Sequence, residues 1–543
     1  MLRNYRALKS LHREMLRHWL LVLVLPALFG VSHGAERRTS LGVVRGRKVP
    51  VLNTVVEEYR GIPYARPPVG ELRFRPPEPA PPWEAILDAT DGRTACPQLL
   101  RPWSTGLIRL SEDCLYLNVW TAVARWADPT APVLVWIHGG GFTGGSASPD
   151  NYSAAVLAAK TRCVVASINY RLGILGFLNA DTPEAPGNMG LMDQRLALIW
   201  LRRNARAFGG DPSVITVFGH SAGGMSVHCH MLSPLGRGLF NRAVMMSGNM
   251  AARDFFESVQ ESVEKGNAVA ALVGCANTTW TRRPNSVVAC LRTKTSGELV
   301  RAAARAVSPK VFPFLPTYHT DYLPRMPVAA ITKGFVARVN VLIGVTANEG
   351  STPFMLRMRA DLQAERLTEV PEAELRASLY DVIRAWTKRD EPEMLDIYVR
   401  QARDKESLRE QFVNYLSDRL FVCPTHFVGE HHSAGNNSVY FYVFAHRPPK
   451  GPPSWIGAGH SMELPYFFGH PLVNSVAFSK QGAEISEAAM EMLSTFARTG
   501  VPKLPSGSPW PRYTGASPKT VQLGGSWAVG DFRRAECEPW LEH

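Results

Sequence analysis

The chain has 543 residues, of which 45% are apolar, 20% charged and 9% aromatic. That balance supplies a large core and excludes fibrous, collagen-like and mostly disordered chains. The formal charge is +13, but the basic residues are scattered and form no Lys/Arg block interleaved with aromatics. A mild preference for acidic surfaces is expected, and nucleic acid is not an expected partner.

The first predicted element is a leader. Arg3, Arg6, Lys9, Arg13 and Arg17 precede an apolar run over 19–31, and Ser32 and Gly34 place small residues at −3 and −1 of a cut before Ala35. This is signal-peptide grammar, and the run is short for a spanning helix. The long basic stretch leaves an uncleaved signal anchor as the alternative. Residues 1–34 are read as the signal peptide and 35–543 as one catalytic domain that enters an oxidising lumen. The chain ends six residues after Cys537, without a hydrophobic tail for a lipid anchor, so a secreted product with no stable membrane anchor is expected. Its oligomeric state is left open.

Cys96, Cys114, Cys163, Cys229, Cys275, Cys290, Cys423 and Cys537 all follow the leader. Their even number fits disulfides, and spacing alone does not fix the pairing. Cys163 and Cys229 sit in contexts that suit buried free thiols. Sequons at Asn151, Asn277 and Asn436 are candidate glycan sites on surface loops. His426 and Glu430-His431-His432 miss the register of a metalloprotease helix and read as a solvated helix end, so no metal site is expected.

Along the body, apolar β-branched strings at 133–137, 163–168, 214–218, 243–246 and 339–343 read as buried strands. Residues 190–208 carry a helical apolar stripe, and 354–420 is helix-rich, with the character of a lid over the sheet. Alternation of this kind predicts an α/β fold, a large and mostly parallel central sheet flanked by helices.

Two motifs carry chemistry. Gly219-His220-Ser221-Ala222-Gly223 follows one predicted strand and opens a helix, the context of a nucleophile elbow: a sharp turn that lifts a serine hydroxyl clear of the backbone at a helix amino end. His138-Gly139-Gly140-Gly141-Phe142 follows another strand. Bare backbone there lets the N–H groups of Gly140 and Gly141, with that of Ala222, approach a substrate oxyanion. A phosphate loop would need a Lys-Ser/Thr that is not present. Together the two motifs predict ester cleavage by an α/β-hydrolase, with no metal and no cofactor.

The chain resembles the type-B carboxylesterase and cholinesterase family. The resemblance rests on Tyr59–Phe74, Glu112–Val119, Asn169–Gly173 and Gly187–Arg195, and it spans nearly all of 35–543. It implies a triad of Ser221, Glu349 in Val-Thr-Ala-Asn-Glu-Gly, and His460 in Gly-His-Ser-Met-Glu. It also implies the bridges Cys96–Cys114, Cys275–Cys290 and Cys423–Cys537, and the ion pairs Arg73–Glu112 and Arg171–Asp193. Ser247 matches a serine near the triad acid, and a turn serine reads equally well there.

The ester is less well defined. Trp103 is a candidate for the choline-binding tryptophan by cation–π contact, but it lies one residue off register, and a core or rim position fits it as well. Trp455 lies in a cholinesterase-like stretch before His460. Phe312 and Phe314 align with acyl-pocket aromatics, or are ordinary core. His220 stands where cholinesterases carry a glutamate, and Thr352 where they carry a gorge aromatic. The expected substrate is a small ester, with a broad carboxylesterase favoured. An acetylcholinesterase is the alternative, and a catalytically silent binding protein on the same fold is the remote one.

Overall fold

The computed structural model describes residues 34–541 apart from 93, 100–108, 123–130, 148–151, 276–283, 307–311, 353–362, 368, 387–391 and 450. Trp103, Asn151 and Asn277 lie outside the described residues.

Strand β5 (Ala131–Ile137) shows why the sheet forms. Val133, Val135 and Ile137 enter one core and Leu134 and Trp136 the other. Successive side chains in a strand point to opposite faces. A strand covered on both faces must therefore be apolar throughout, and this one reads as an unbroken apolar run.

In chain order the strands are β1 (Ala35–Arg38), β2 (Val43–Val51), β3 (Thr54–Pro63), β4 (Tyr116–Ala122), β5, β6 (Val164–Ile168), β7 (Gly210–His220), β8 (Arg242–Met246), β9 (Asn340–Thr346), β10 (Val439–Phe444), β11 (Thr520–Leu523) and β12 (Val529–Gly530). Their order in the sheet is β1-β2-β3-β4-β6-β5-β7-β8-β9-β10-β11-β12, with the short strand Leu87–Asp88 beside β2. Neighbours from β6 to β11 are parallel, and the two ends are antiparallel. The five predicted strands are β5 to β9.

Helices cover both faces. On one lie α1 (Ala155–Thr161) and α8 (Lys480–Thr499), and on the other α2 (Met189–Asn204) and α3 (Ala222–Leu232). The helix predicted over 190–208 is α2 followed by a tight turn, Ala205–Phe208, which stops at left-handed Gly209. The helix-rich stretch holds α4 (Glu372–Trp386), α5 (Pro392–Val399) and α6 (Lys405–Ser417). A wider helical turn, Asp418–Val422, joins α6 to α7 (Cys423–Ala434).

One expectation is corrected on α7. His426 and His432 are buried, not at a solvated helix end. His426 contacts the Tyr513 hydroxyl through Nδ1 at 2.8 Å and the Phe532 carbonyl through Nε2 at 2.8 Å. His432 meets His228 of α3 Nε2 to Nε2 at 3.1 Å. Helical periodicity turns these two histidines into the core, while the outward positions gave the segment its polar look.

The bridges Cys96–Cys114, Cys275–Cys290 and Cys423–Cys537 are formed, and Cys163 and Cys229 are buried free thiols. Both expected ion pairs are present, Arg73–Glu112 at 2.6 Å and Arg171–Asp193 at 2.7 Å. Asn436 is exposed. No helix among the described residues is long and apolar enough to cross a membrane.

Candidate functional site

The carboxyl ends of β7, β8 and β9 and the loop after β10 converge on one place. At the end of β7 the chain turns directly into α3, and Ser221 takes φ 56° and ψ −124° at the turn. A non-glycine residue there is strained, and the surrounding structure has to hold it. The Ser221 N–H donates to the Met246 carbonyl at the end of β8, at 2.8 Å. On the other side β5 packs tightly: a Cβ on Gly223 would lie 2.0 Å from the Ile137 carbonyl oxygen.

The loop after β5 lies against this turn. A Cβ on Gly139 would come within 3.0 Å of Cβ of Ser221. Gly140 and Gly141 have φ 115° and 62°, where a side chain is disfavoured. The N–H groups of Thr143 and Gly144 donate to the Gly140 carbonyl and close the loop, and that of Gly145 donates to Gln98. Among the described residues the N–H groups of Gly140 and Gly141 donate to no backbone carbonyl. Ala222 opens α3, where unpaired N–H groups and the helix dipole favour negative charge.

Glu349 sits just past β9 and is fully buried. Its Oε1 accepts from the Thr346 N–H at 2.7 Å, and its Oε2 accepts from His460 Nδ1 at 2.6 Å. That bond fixes the imidazole orientation and leaves Nε2 as the basic nitrogen. Backbone contacts lock the two loops together: the Asn348 N–H donates to the Ala458 carbonyl, and the Ala458 N–H donates to Asn348 Oδ1, each at 3.0 Å. The His460 ring lies between Phe421 and His220, with centroids 4.7 Å and 4.5 Å away.

A second carboxyl, Glu463, is buried nearby. It stands in the same Gly-His-Ser-Met-Glu segment as His460, where the sequence reading gave it no role. Ser247 donates to it at 3.3 Å. Burial, and after it the neighbouring Glu349 carboxylate, push the Glu463 carboxyl well above the usual carboxylate range. Burial, and to a lesser degree His460, hold His220 well below the usual imidazole range. His138, buried beside the glycine loop, is pushed down to about 4.

The aromatic candidates separate. The Phe312 ring lies on Gly141, so close that a Cβ on this glycine would be 2.0 Å from it. Phe255 joins Phe312 to Phe421, with centroids 6.2 Å apart in each pair. Phe314 is fully buried in the main core. One face of Trp455 is taken up by the Arg409 guanidinium, 4.5 Å from the ring centroid, and its Nε1 donates to the Gln363 carbonyl. Thr352 lies against the loop before His460, where its hydroxyl would be 2.5 Å from a Cβ on Gly459.

The one set of side chains with metal-ligand spacing among the described residues is Asp418, Cys423 and Cys537. Its cysteines are bonded to each other and offer no thiolate. An open cleft of about 640 Å³ lies at the opposite, amino end of β8 and β9, lined by Arg237, Phe240 and Arg338 among others. It contains none of the groups described above.

The carboxylesterase family profile matches residues 34–540. The chain is 37% identical to an acetylcholinesterase of Bungarus fasciatus over 93% of this chain and 86% of that protein. It is 34% identical to a cholinesterase of Mus musculus over 96% and 89%, and 35% identical to an acetylcholinesterase of Leptinotarsa decemlineata over 89% and 81%.

Proposed function

Because the chain belongs to the carboxylesterase family and is a carboxylic ester hydrolase of the serine type, we propose that it works through Ser221, Glu349 and His460 on small neutral esters. His460 Nε2 takes the hydroxyl proton as Ser221 Oγ attacks the ester carbonyl. Glu349 holds Nδ1–H and stabilises the imidazolium. The N–H groups of Gly140, Gly141 and Ala222 receive the oxyanion as its charge develops. The alcohol leaves with the proton from His460, and water activated by the same imidazole releases the acid from the acyl-serine. The observation that carries this reading is the 2.6 Å bond between His460 Nδ1 and buried Glu349.

The reading favours a broad carboxylesterase over a cholinesterase. His220 replaces a carboxylate with a group held neutral, and Arg409 occupies one face of Trp455. Both weaken attraction for a quaternary ammonium. The Phe255, Phe312 and Phe421 row beside the glycine loop suits a small acyl group. The second reading, choline-ester hydrolysis, draws on relatives that are acetylcholinesterases and a cholinesterase. Export is part of the proposal, supported by the leader-like sequence over 1–34 and three disulfides.

The test is kcat/KM for acetylthiocholine against naphthyl acetate, with Ser221→Ala as the blank. A preference of tenfold or more for the neutral ester supports the first reading. A preference for the choline ester replaces it with the second. Turnover that survives in the blank removes Ser221 from its role.

A further inference from the structure

Next to the proposed triad lies another imidazole–carboxyl couple, which the steps above do not use. His220 Nε2 stands 3.5 Å from Glu463 Oε1, and both side chains are nearly sealed from solvent. Each carries a buried atom with no hydrogen-bond partner, Nε2 of His220 and Oε2 of Glu463. Buried polar atoms are rarely left unpaired. A proton shared across the 3.5 Å between Glu463 Oε1 and His220 Nε2 gives Nε2 a partner and spares the unpartnered Oε2 a full negative charge.

The surroundings set the charge of the couple. From β8 comes Ser247, which donates to Glu463. From β9 comes Glu349, whose negative charge opposes a second one on Glu463. Tyr442 of β10 and Tyr152, just before α1, feel the Glu463 carboxyl electrostatically. His460 presses on the His220 ring from the loop that carries Glu463. Among the described residues no lysine or arginine pairs with Glu463. An isolated buried carboxylate beside another carboxylate is costly, and protonation removes the cost.

From this arrangement we propose that His220 and Glu463 form a specificity-determining pair that holds one proton and carries no net charge at neutral pH. The neutral pair gives a cationic alcohol group no attraction. In mildly alkaline solution the pair loses that proton to solvent and becomes an anion beside the reacting groups. In the neutral state the Glu463 hydroxyl donates to His220 Nε2, in keeping with a carboxyl pushed up and an imidazole pushed down. The anion then attracts a cationic substrate and stabilises the His460 imidazolium 4.5 Å from His220. A preference for neutral esters thus becomes a function of pH, set by two residues outside the proposed triad.

The kinetic part of this inference rests on the triad reading, so its test has two arms. In the first, kcat/KM is measured for acetylthiocholine and for its uncharged isostere, 3,3-dimethylbutyl thioacetate, from neutral to alkaline pH on the same enzyme sample. The ratio of the two cancels differences in active fraction and in His460 titration. It is expected to rise about three- to tenfold with pH, the effect of one partly screened charge at several ångströms. It is expected to stay flat in Glu463→Gln. His220→Gln removes the acceptor and shifts the pH of the rise, and it serves if Glu463→Gln does not fold.

The second arm needs no turnover. Infrared difference spectra of the full chain between neutral and alkaline pH should show loss of a buried carboxylic-acid C=O band that Glu463→Gln lacks. A ratio independent of pH in the wild type overturns the inference, as does a wild-type spectrum without that band. If neither ester is cleaved, the Ser221 reading fails, and the infrared arm still decides whether the couple holds its proton.

Discussion

Gly141→Ala should impair catalysis, and Phe312→Ala should repair much of the damage. The added methyl would sit 2.0 Å from the Phe312 ring, where ordinary contact is 3.4–4 Å. Either the ring or the loop must move by about 1.5 Å, and alanine in the left-handed region adds roughly 1–2 kcal/mol. If the loop gives way, one oxyanion donor leaves its place, a loss of about 2.7–4 kcal/mol or 10²–10³ in kcat. The double variant removes the ring, so only the backbone strain remains, and kcat should return to within about tenfold of Phe312→Ala. Gly140→Ala is the control. Its methyl would meet the Gly144 carbonyl at 2.2 Å, a backbone obstacle that Phe312→Ala cannot clear. The assay is kcat on naphthyl acetate per titrated site, with thermal unfolding as the check on folding. A folded Gly141→Ala with wild-type kcat would show that the Gly141 N–H is not an oxyanion donor, and Phe312→Ala rescuing both glycine variants equally would show that the ring is not the obstacle.

Three further outcomes follow from the same contacts. Glu349→Gln should keep the enzyme folded and lower kcat by about 10³–10⁴, because the amide no longer fixes Nδ1–H or offsets the imidazolium charge; a loss below tenfold, read by steady-state kinetics, would contradict that role. Replacing both Cys423 and Cys537 by alanine opens a loop spanning 114 positions and should cost up to about 5 kcal/mol; an unchanged thermal inactivation rate would show that the bridge does not hold the carboxyl end. His426 is pushed down to about 4, chiefly by burial, so between the ordinary imidazole range and pH 4 the unfolded chain binds the extra proton. Its contribution to stability is complete above that range and is lost as pH falls toward 4. His426→Gln should therefore flatten the acid limb of stability by up to about 1.4 kcal/mol per pH unit, measured by urea unfolding at several pH values.

Sequence was most informative where one constraint acts locally. The Gly219–Gly223 turn and the glycine run at 139–141 were legible because a strained serine and close backbone approach admit few other residues. The buried strands were legible because a sheet covered on both faces leaves only apolar choices. Glu349 and His460 were not legible by themselves: each is one ordinary polar residue, and β9 and the loop after β10 bring them together from 111 positions apart. Only the resemblance to a family pointed to them. Glu463 is not legible in the sequence, because its character comes from burial beside Glu349, which no local pattern encodes. The burial of His426 and His432 is hidden in the sequence, because a polar-looking helix can turn single imidazoles into the core when partners such as Tyr513 and His228 receive them.

Whether esters are cleaved through an acyl-enzyme on Ser221 is decided by mass spectrometry after treatment with an organophosphate ester. One phosphoryl group per chain is expected, located on the peptide that contains Ser221, with activity lost in proportion. In Ser221→Ala that peptide should carry no label. Stoichiometric inactivation with the label on another residue would contradict an acyl-enzyme on Ser221, as would full ester turnover by the unlabelled Ser221→Ala protein.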